Sequence, residues 1–280
     1  GRAACQFLKD SSMTILMPIG GNENHKKPVV LQEFIRRAGG ENADIVIFPQ
    51  PSILRDTGEE YARLFLDLGA RTTRILEFRT RAESSADDFL KAVASASGIF
   101  ISGGTQMRLP ATIGGTPLEA AILDAYHRGV IIAGTSAGAA VMSKVMIAYG
   151  KGGPTPREGI AQFAPGLGLT DKIVFDQHFR QRDRLGRLLY LISAHPGLLG
   201  VGIDENTAAI VENESFVIVA GSGAVTIVDG SEIESTDVAE IEKGVPVAVS
   251  NIRLHVLTSG CSFDIRTRKA NIPKLQLLSE

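Results

Sequence analysis

The chain has 280 residues, of which 44% are hydrophobic and 21% charged, and its net charge is −2. This composition is typical of a globular protein with a sizeable core, and the near-neutral charge disfavours nucleic acid or a membrane surface as partner. Cys5 and Cys261 exclude a disulfide framework and a cysteine-based zinc site, and they fit a reducing compartment. No apolar run approaches the length of a membrane span and no signal peptide is visible, so we expect a soluble, cytoplasmic protein.

Short apolar runs alternate with amphipathic segments through the first two-thirds of the chain. We predict strands buried on both faces at residues 14–18, 43–49, 74–78, 98–102 and 130–133. Helices are predicted between them at residues 29–38, 59–68, 86–96 and 117–127. Gly69 and Gly129 stand where helix C-termini favour a left-handed residue. Repeated β-α units of this kind predict an α/β fold with a doubly wound, mostly parallel sheet and flanking helices.

The last third of the chain has a different pattern. Residues 150–168 are rich in Gly and Pro and predict a long loop, which at this length is usually functional. A strand at 172–175 and a helix at 182–194 follow, and then strands at 202–211, 216–220, 224–228 and 247–257. We interpret these last strands as a C-terminal antiparallel extension of the sheet and the basic tail, 266–274, as a solvated edge. The whole chain, 1–280, is thus expected to form a single α/β domain.

The most informative segment is the turn that follows the strand at 130–133. It reads Gly134-Thr135-Ser136-Ala137-Gly138 and leads into small residues that can start a helix. This strand, tight turn and helix are the parts of a nucleophile elbow, in which Ser136 would attack a carbonyl carbon. The amide of Ala137, at a helix N-terminus, would face the developing oxyanion. Gly104, after the strand at 98–102, is a candidate for the second oxyanion donor.

A serine nucleophile requires a base and an acid that orients the base. Of the five histidines, His178 is the one that ends a predicted strand at the edge of the sheet where ligands of such folds bind. Asp204 and Glu205 both begin a later strand, and only one of them can face the histidine. Glu158, in the long loop, is a weaker candidate. The order Ser, His, acid differs from that of α/β-hydrolases and argues against an esterase or a lipase.

Charged residues of both signs surround the candidate base. The segment 176–187 contains four arginines and two aspartates. Arginine binds carboxylates bidentately and aspartate can bind a guanidinium, so this segment favours a zwitterionic substrate. Gln106, which follows Gly104, can hydrogen-bond the substrate. The Gly20-Gly21 pair lacks the glycine spacing of a nucleotide-binding loop, so no cofactor is expected.

Four motifs together resemble the cyanophycinases, which belong to a serine peptidase family that also contains aspartyl dipeptidase (peptidase E). They are Ser102-Gly103-Gly104-Thr105-Gln106, the serine elbow, the Asp176-Gln177-His178-Phe179 run with its arginines, and residues 202–208. The motifs occur in the family's order and cover residues 14–230. The opening segment 19–24 departs from the family's Gly-Gly-Ala-Glu-Asp-Lys, and the loop 151–160 also differs.

The resemblance implies a fold like that of class I glutamine amidotransferases and a triad of Ser136, His178 and Glu205. It implies no metal and, commonly, a homodimer. The implied substrate is cyanophycin, a polyaspartate whose β-carboxyls carry arginine or sometimes lysine, and the implied products are β-aspartyl-arginine dipeptides released from the chain end. The residues that match the family's binding motif are Gln106, Asp176, Gln177, Arg182, Arg184 and Arg187.

Three other functions can be weighed against this one. An aspartyl or isoaspartyl dipeptidase would use the same triad, but a dipeptide requires fewer anionic anchors than the arginine run offers. A binding protein without catalysis would have no need of the complete triad. Glutamine amide hydrolysis on this fold normally uses cysteine, whereas position 136 is serine.

Overall fold

The structure is a computed structural model that describes residues 13–273. The strands of this part of the chain are β1 Ile15–Ile19, β2 Asp44–Phe48, β3 Thr72–Ile75, β4 Gly98–Ile101, β5 Ile131–Thr135, β6 Val145–Gly150, β7 Ala161–Pro165, β8 Ile173–Asp176, β9 Leu199–Ile203, β10 Thr207–Glu212, β11 Phe216–Gly221, β12 Ala224–Asp229, β13 Arg253–Thr258, β14 Ser262–Asp264 and β15 Lys269–Asn271. The helices are α1 Val29–Arg37, α2 Thr57–Asp67, α3 Arg81–Ser84, α4 Asp87–Ser95, α5 Arg108–Ile113, α6 Pro117–His127, α7 Ala137–Ala140 and α8 Leu185–Ala194.

A nine-stranded central sheet organises the fold, in the order β15-β14-β11-β10-β1-β5-β4-β2-β3. The five strands from β1 to β3 in this order are parallel, and the strands from β10 outward extend the sheet antiparallel. The predicted α/β fold class, with flanking helices and antiparallel C-terminal strands, is thereby confirmed. Four of the parallel strands, β1, β2, β4 and β5, are near-continuous apolar runs because helices cover both faces of the sheet, whereas the edge strand β3 is polar and partly exposed.

A second sheet, which the sequence analysis did not anticipate, contains β13-β12-β9-β8. The predictions that the strand at 172–175 belongs to the central sheet, and that 224–228 and 247–257 extend it, were therefore wrong. Alternating residues of β8 face different clusters: Ile173 and Phe175 join the core shared with the central sheet, and Val174 packs beneath α8. A strand buried on both faces in this way cannot be assigned to one sheet or the other from its composition alone.

Other boundaries also differ from the predictions. Residues 150–168 are not a continuous loop, because β6 and β7 pair there as an antiparallel hairpin. The predicted strand 202–211 is divided into β9 and β10 by a turn at 204–206. The strand predicted at 74–78 lies at 72–75, the helix predicted from 182 begins at Leu185, and the basic tail contains β15, paired to β14. Position 274, its last residue, lies outside the described residues, as does Cys5.

Three hydrophobic clusters stabilise these layers. Helices α1 and α2 cover one face of the central sheet through Leu31, Phe34 and Phe65, each completely buried. The opposite face packs on α4, α5 and α6 and on the second sheet. Helix α8 covers the outer face of the second sheet. At the predicted C-terminal ends of α2 and α6, Gly69 and Gly129 adopt positive φ, as expected.

Candidate active site

The turn after β5 forces an unusual backbone conformation on Ser136. Its φ and ψ are 52° and −113°, a region that non-glycine residues rarely adopt. The glycines on either side permit the turn: a Cβ on Gly134 would lie 2.4 Å from the Gly138 carbonyl oxygen, and one on Gly138 would lie 2.2 Å from that of Ile101. The Ser136 amide donates to the Ile19 carbonyl oxygen at 3.0 Å, which fixes the turn to β1.

Three of the predicted residues form a hydrogen-bonded chain at this turn. The Ser136 Oγ lies 2.9 Å from His178 Nε2, and His178 Nδ1 lies 2.7 Å from Glu205 Oε1. Asp204, the alternative acid, faces away, and its oxygens accept from the backbone amides of Arg180 and Ala224. The arrangement has the geometry of a nucleophile, a general base and an orienting carboxylate.

The histidine lies just after the end of a strand of the second sheet. His178 follows β8 with a φ of 45°, and its amide donates to the Gly20 carbonyl oxygen at 2.7 Å. Gly21 packs on the imidazole so closely that a Cβ there would lie 2.4 Å from the ring. Glu205 stands in the turn between β9 and β10, where its amide donates to Gln181 Oε1 at 3.1 Å. This hydrogen-bonded chain of three side chains therefore depends on contact between the two sheets at the end of β1.

The electrostatics favour a neutral imidazole beside an ionised carboxylate. Burial lowers the pKa of His178 below 6.5, and the positive charges of Arg182 and Arg184 act in the same direction. The hydrogen bond from Asn22 is the main cause that holds the pKa of Glu205 below its ordinary value. A neutral imidazole can accept the serine proton at neutral pH.

The two predicted oxyanion donors belong to the turn of Ser136 and to the loop after β4, in which Gly103 lies beside the Ser136 side chain. Ala137 begins α7, so its amide has no carbonyl one turn earlier to receive its proton. Gly104 has a φ of 137°, and a Cβ there would lie 1.9 Å from the Pro51 carbonyl oxygen. Neither amide donates a hydrogen bond to another residue in the described part of the chain. Both are thus available to a developing negative charge.

The buried charged residues of the segment 176–187 form hydrogen bonds and ion pairs with one another. Asp176 is 1% exposed, and it accepts from Arg187 Nε at 2.7 Å and from a second Arg187 nitrogen. Arg184 Nη1 lies 3.5 Å from Asp176 and donates to the carbonyl oxygen of Gln177 at 2.6 Å and to its Oε1 at 2.9 Å. Contrary to the expectation that Asp176 is open to a substrate guanidinium, two guanidiniums of this chain already occupy its carboxylate.

The other predicted binding residues differ in their availability. The side-chain nitrogen of Gln106 donates to the carbonyl oxygens of Ile147 and Ala148, both at 3.0 Å, so it fastens the loop after β4 to β6. Gln177 Oε1 lies 3.4 Å from Ser136 Oγ. Arg182 is exposed, and its positive charge acts on both His178 and Glu205.

The loop after β1 contributes residues that the sequence analysis underestimated. Asn22 Nδ2 donates to Glu205 Oε2 at 2.9 Å. Glu23 is buried and accepts from Thr135 at 2.6 Å and from the Tyr61 hydroxyl. These side chains line a cleft of about 560 Å³ that contains Ser136. The available signal was the Gly20-Gly21 pair, since a strand next to β5 in a doubly wound sheet brings its carboxyl end to the same edge.

Within 13–273, no group of three or more His, Cys, Asp or Glu side chains is placed to hold a metal ion. No helix in the same range combines the length and the apolar character needed to span a bilayer.

The comparisons with known proteins agree with the motifs. The model of peptidase family S51 matches residues 15–219. The chain therefore belongs to peptidase family S51, and it is a peptidase hydrolase. Among its curated relatives is a cyanophycinase of Trichormus variabilis, 38% identical over 265 residues that cover 92% of this chain and 88% of the relative. A cyanophycinase of Synechococcus elongatus is 40% identical over 258 residues, covering 91% and 80%. These matches confirm the resemblance seen in the sequence.

A solved structure agrees with the fold. The peptidase from an acI-B1 Actinobacterium aligns with a TM-score of 0.64 at 22% identity, covering 91% of this chain and 98% of that one. At this identity the comparison concerns the architecture alone.

Proposed function

We propose that the chain is a cyanophycinase, a serine-type exopeptidase that releases β-aspartyl-arginine dipeptides from cyanophycin. The observation that carries the proposal is the hydrogen-bonded chain of Ser136, His178 and Glu205 in a member of family S51. The relatives named above point to the substrate.

The proposed reaction is acyl transfer in two steps. His178 Nε2 takes the proton of Ser136 as the Oγ attacks the scissile carbonyl carbon, and the amides of Ala137 and Gly104 stabilise the oxyanion. Glu205 stabilises the imidazolium. His178 then protonates the leaving amine, and a water molecule, deprotonated by the same imidazole, hydrolyses the acyl-enzyme.

The proposed substrate contacts follow from exposure. Arg182 is exposed near the triad and is suited to bind a substrate carboxylate, while Arg184 and Gln177 form the wall nearest the serine hydroxyl. Asp176 and Arg187 support this wall from beneath, because both are buried and bind each other. Gln106 acts by holding the loop that carries Gly104. The predictions of a homodimer and of a cytoplasmic location stay predictions.

The test is incubation of the purified protein with cyanophycin and identification of the products by mass. We expect β-aspartyl-arginine from the wild type and none from Ser136→Ala. The matched control is Ser231→Ala, since Ser231 is an exposed serine in the turn after β12 and its side chain makes no hydrogen bond with the triad. Hydrolysis of free aspartyl or isoaspartyl dipeptides, without release from the polymer, would assign the chain to the dipeptidases of the family instead.

A further inference from the structure

A second groove lies along the same edge of the central sheet. It has a volume of about 940 Å³ and is bounded by the loops after β2 and β3 and by α3 and α5. Its charged lining residues are Arg55, Glu77, Arg79, Glu83 and Arg108. None of these residues takes part in the triad or its immediate supports.

This groove and the cleft at Ser136 share a wall. The Ser52 hydroxyl, which lines the groove, is hydrogen-bonded at 2.7 Å to the Thr57 hydroxyl, which lines the cleft. The Pro51 carbonyl oxygen accepts from the Thr105 amide at 2.8 Å, so the same segment supports the loop that carries Gly104. A ligand that leaves the cleft across this wall enters the groove.

The charges of the groove are largely uncommitted. Arg55, Glu77 and Arg79 are exposed, and their side chains make no ion pair or hydrogen bond in the described range, although the Arg79 charge acts on the nearby Glu83 carboxylate. Glu83 caps α3 through the backbone amides of Arg79 and Thr80, and Arg108 donates to the Ser52 carbonyl oxygen at 3.4 Å. Free cationic groups and a free carboxylate therefore line one surface.

We propose that this groove is a distal subsite that binds the cyanophycin chain several units away from the scissile bond; the proposal rests on the function proposed above. Each unit of that polymer carries one carboxylate and one guanidinium on its side chain. A groove with free arginines and a free glutamate matches this zwitterionic surface better than it matches a purely anionic chain.

The distance from Ser136 to the groove determines how long a substrate chain must be to reach the groove. From β5, which carries Ser136, to β3 the order is β5-β4-β2-β3. Neighbouring strands lie about 4.8 Å apart, so the groove is about 14 Å from the serine. An extended backbone covers about 3.5 Å per residue, so about four units are required to reach it. Short oligomers would occupy the cleft alone.

The experiment compares synthetic oligomers of three and ten β-Asp-Arg units with wild type and the double variant Arg55→Ala, Arg79→Ala. For ten units we expect the KM to rise about fivefold in the variant, because two exposed charge contacts are lost, with kcat unchanged. For three units we expect no change in KM. Arg63→Ala is the matched control, since Arg63 is an exposed arginine of α2 that forms no ion pair in the described range and lines neither the groove nor the cleft.

Each outcome separates the two proposals. If the wild type hydrolyses neither oligomer, the proposed function fails. If it hydrolyses both and the variant raises the KM equally for both or for neither, the subsite is refuted and the proposed function stands. Size-exclusion chromatography of the variant completes the test: a change of oligomeric state would assign the groove to an interface between copies and overturn the proposal.

Discussion

Replacing Arg187 by methionine tests whether the buried cluster beside the triad is structural. Arg187 and Asp176 are 3% and 1% exposed, and methionine keeps most of the volume of the arginine stem. The change leaves a buried carboxylate without its bidentate partner, which typically costs about 3–5 kcal/mol of unfolding free energy. Arg184 remains 3.5 Å from Asp176 and offsets part of the loss, so we expect about 3 kcal/mol.

The assay is equilibrium unfolding in urea followed by circular dichroism. Arg182→Met is the matched control: this arginine is exposed, so its unfolding free energy should change by less than about 0.5 kcal/mol while the KM for substrate rises. The double variant Asp176→Leu, Arg187→Met should recover only part of the stability lost by Arg187→Met, because the unpaired carboxylate is gone but buried Arg184 then lacks its neighbouring negative charge. If Arg187→Met unfolds at the wild-type urea concentration and only its KM changes, Arg187 binds substrate and the structural interpretation is wrong.

Three further predictions concern the triad. Asn22→Ala should lower kcat about tenfold with little change in KM, because Glu205 loses the hydrogen-bond donor to its Oε2. Asn22→Asp should lower kcat further, because it places a second carboxylate beside Glu205. Steady-state kinetics measures both effects. The acid limb of kcat/KM should lie below pH 6.5, since His178 must be neutral to act and burial lowers its pKa; Arg182→Gln should move the limb to higher pH in a pH-rate profile. Gly138→Ala should abolish activity and lower the melting temperature, because its Cβ would collide with the Ile101 carbonyl oxygen; calorimetry measures the latter.

Controls make these results specific. Asn42→Ala changes an exposed asparagine in the turn before β2, far from Glu205, and should leave kcat unchanged. An unchanged pH profile in Arg182→Gln would show that this charge does not act on the imidazole. Full activity in Gly138→Ala would contradict the account of the elbow.

Apolar periodicity predicted the parallel half of the fold well. Strands such as β4 and β5 are short apolar runs between amphipathic helices, a pattern with few alternatives. The second sheet could not be predicted, because nothing in the sequence of β8 shows that it pairs with β9 alone and does not join the central sheet. The hairpin β6–β7 was missed for a different reason: its Gly and Pro residues indicate a loop, and partner strands override that local preference.

The sequence predicted those site residues that have suitable chemistry and also lie at the end of an apolar strand. Ser136 and His178 each follow an apolar strand, so their place at the site was predictable, whereas Asp204 and Glu205 both precede β10 and only the family resemblance selected Glu205. The supporting contacts were not predictable from spacing. Asn22 reaches Glu205 across 183 positions of sequence. The burial of individual arginines could not be predicted either, since nothing in the sequence of the segment 176–187 distinguishes the exposed Arg182 from the buried Arg187.

The most direct test of the central claim is labelling of the native protein with a serine-directed phosphonate, followed by peptide mass spectrometry. The account predicts one adduct, on Ser136, that is absent from Ser136→Ala and strongly slowed in His178→Ala, because the imidazole activates the hydroxyl. An adduct on another serine, or labelling of Ser136 at an equal rate without His178, would contradict the proposed triad.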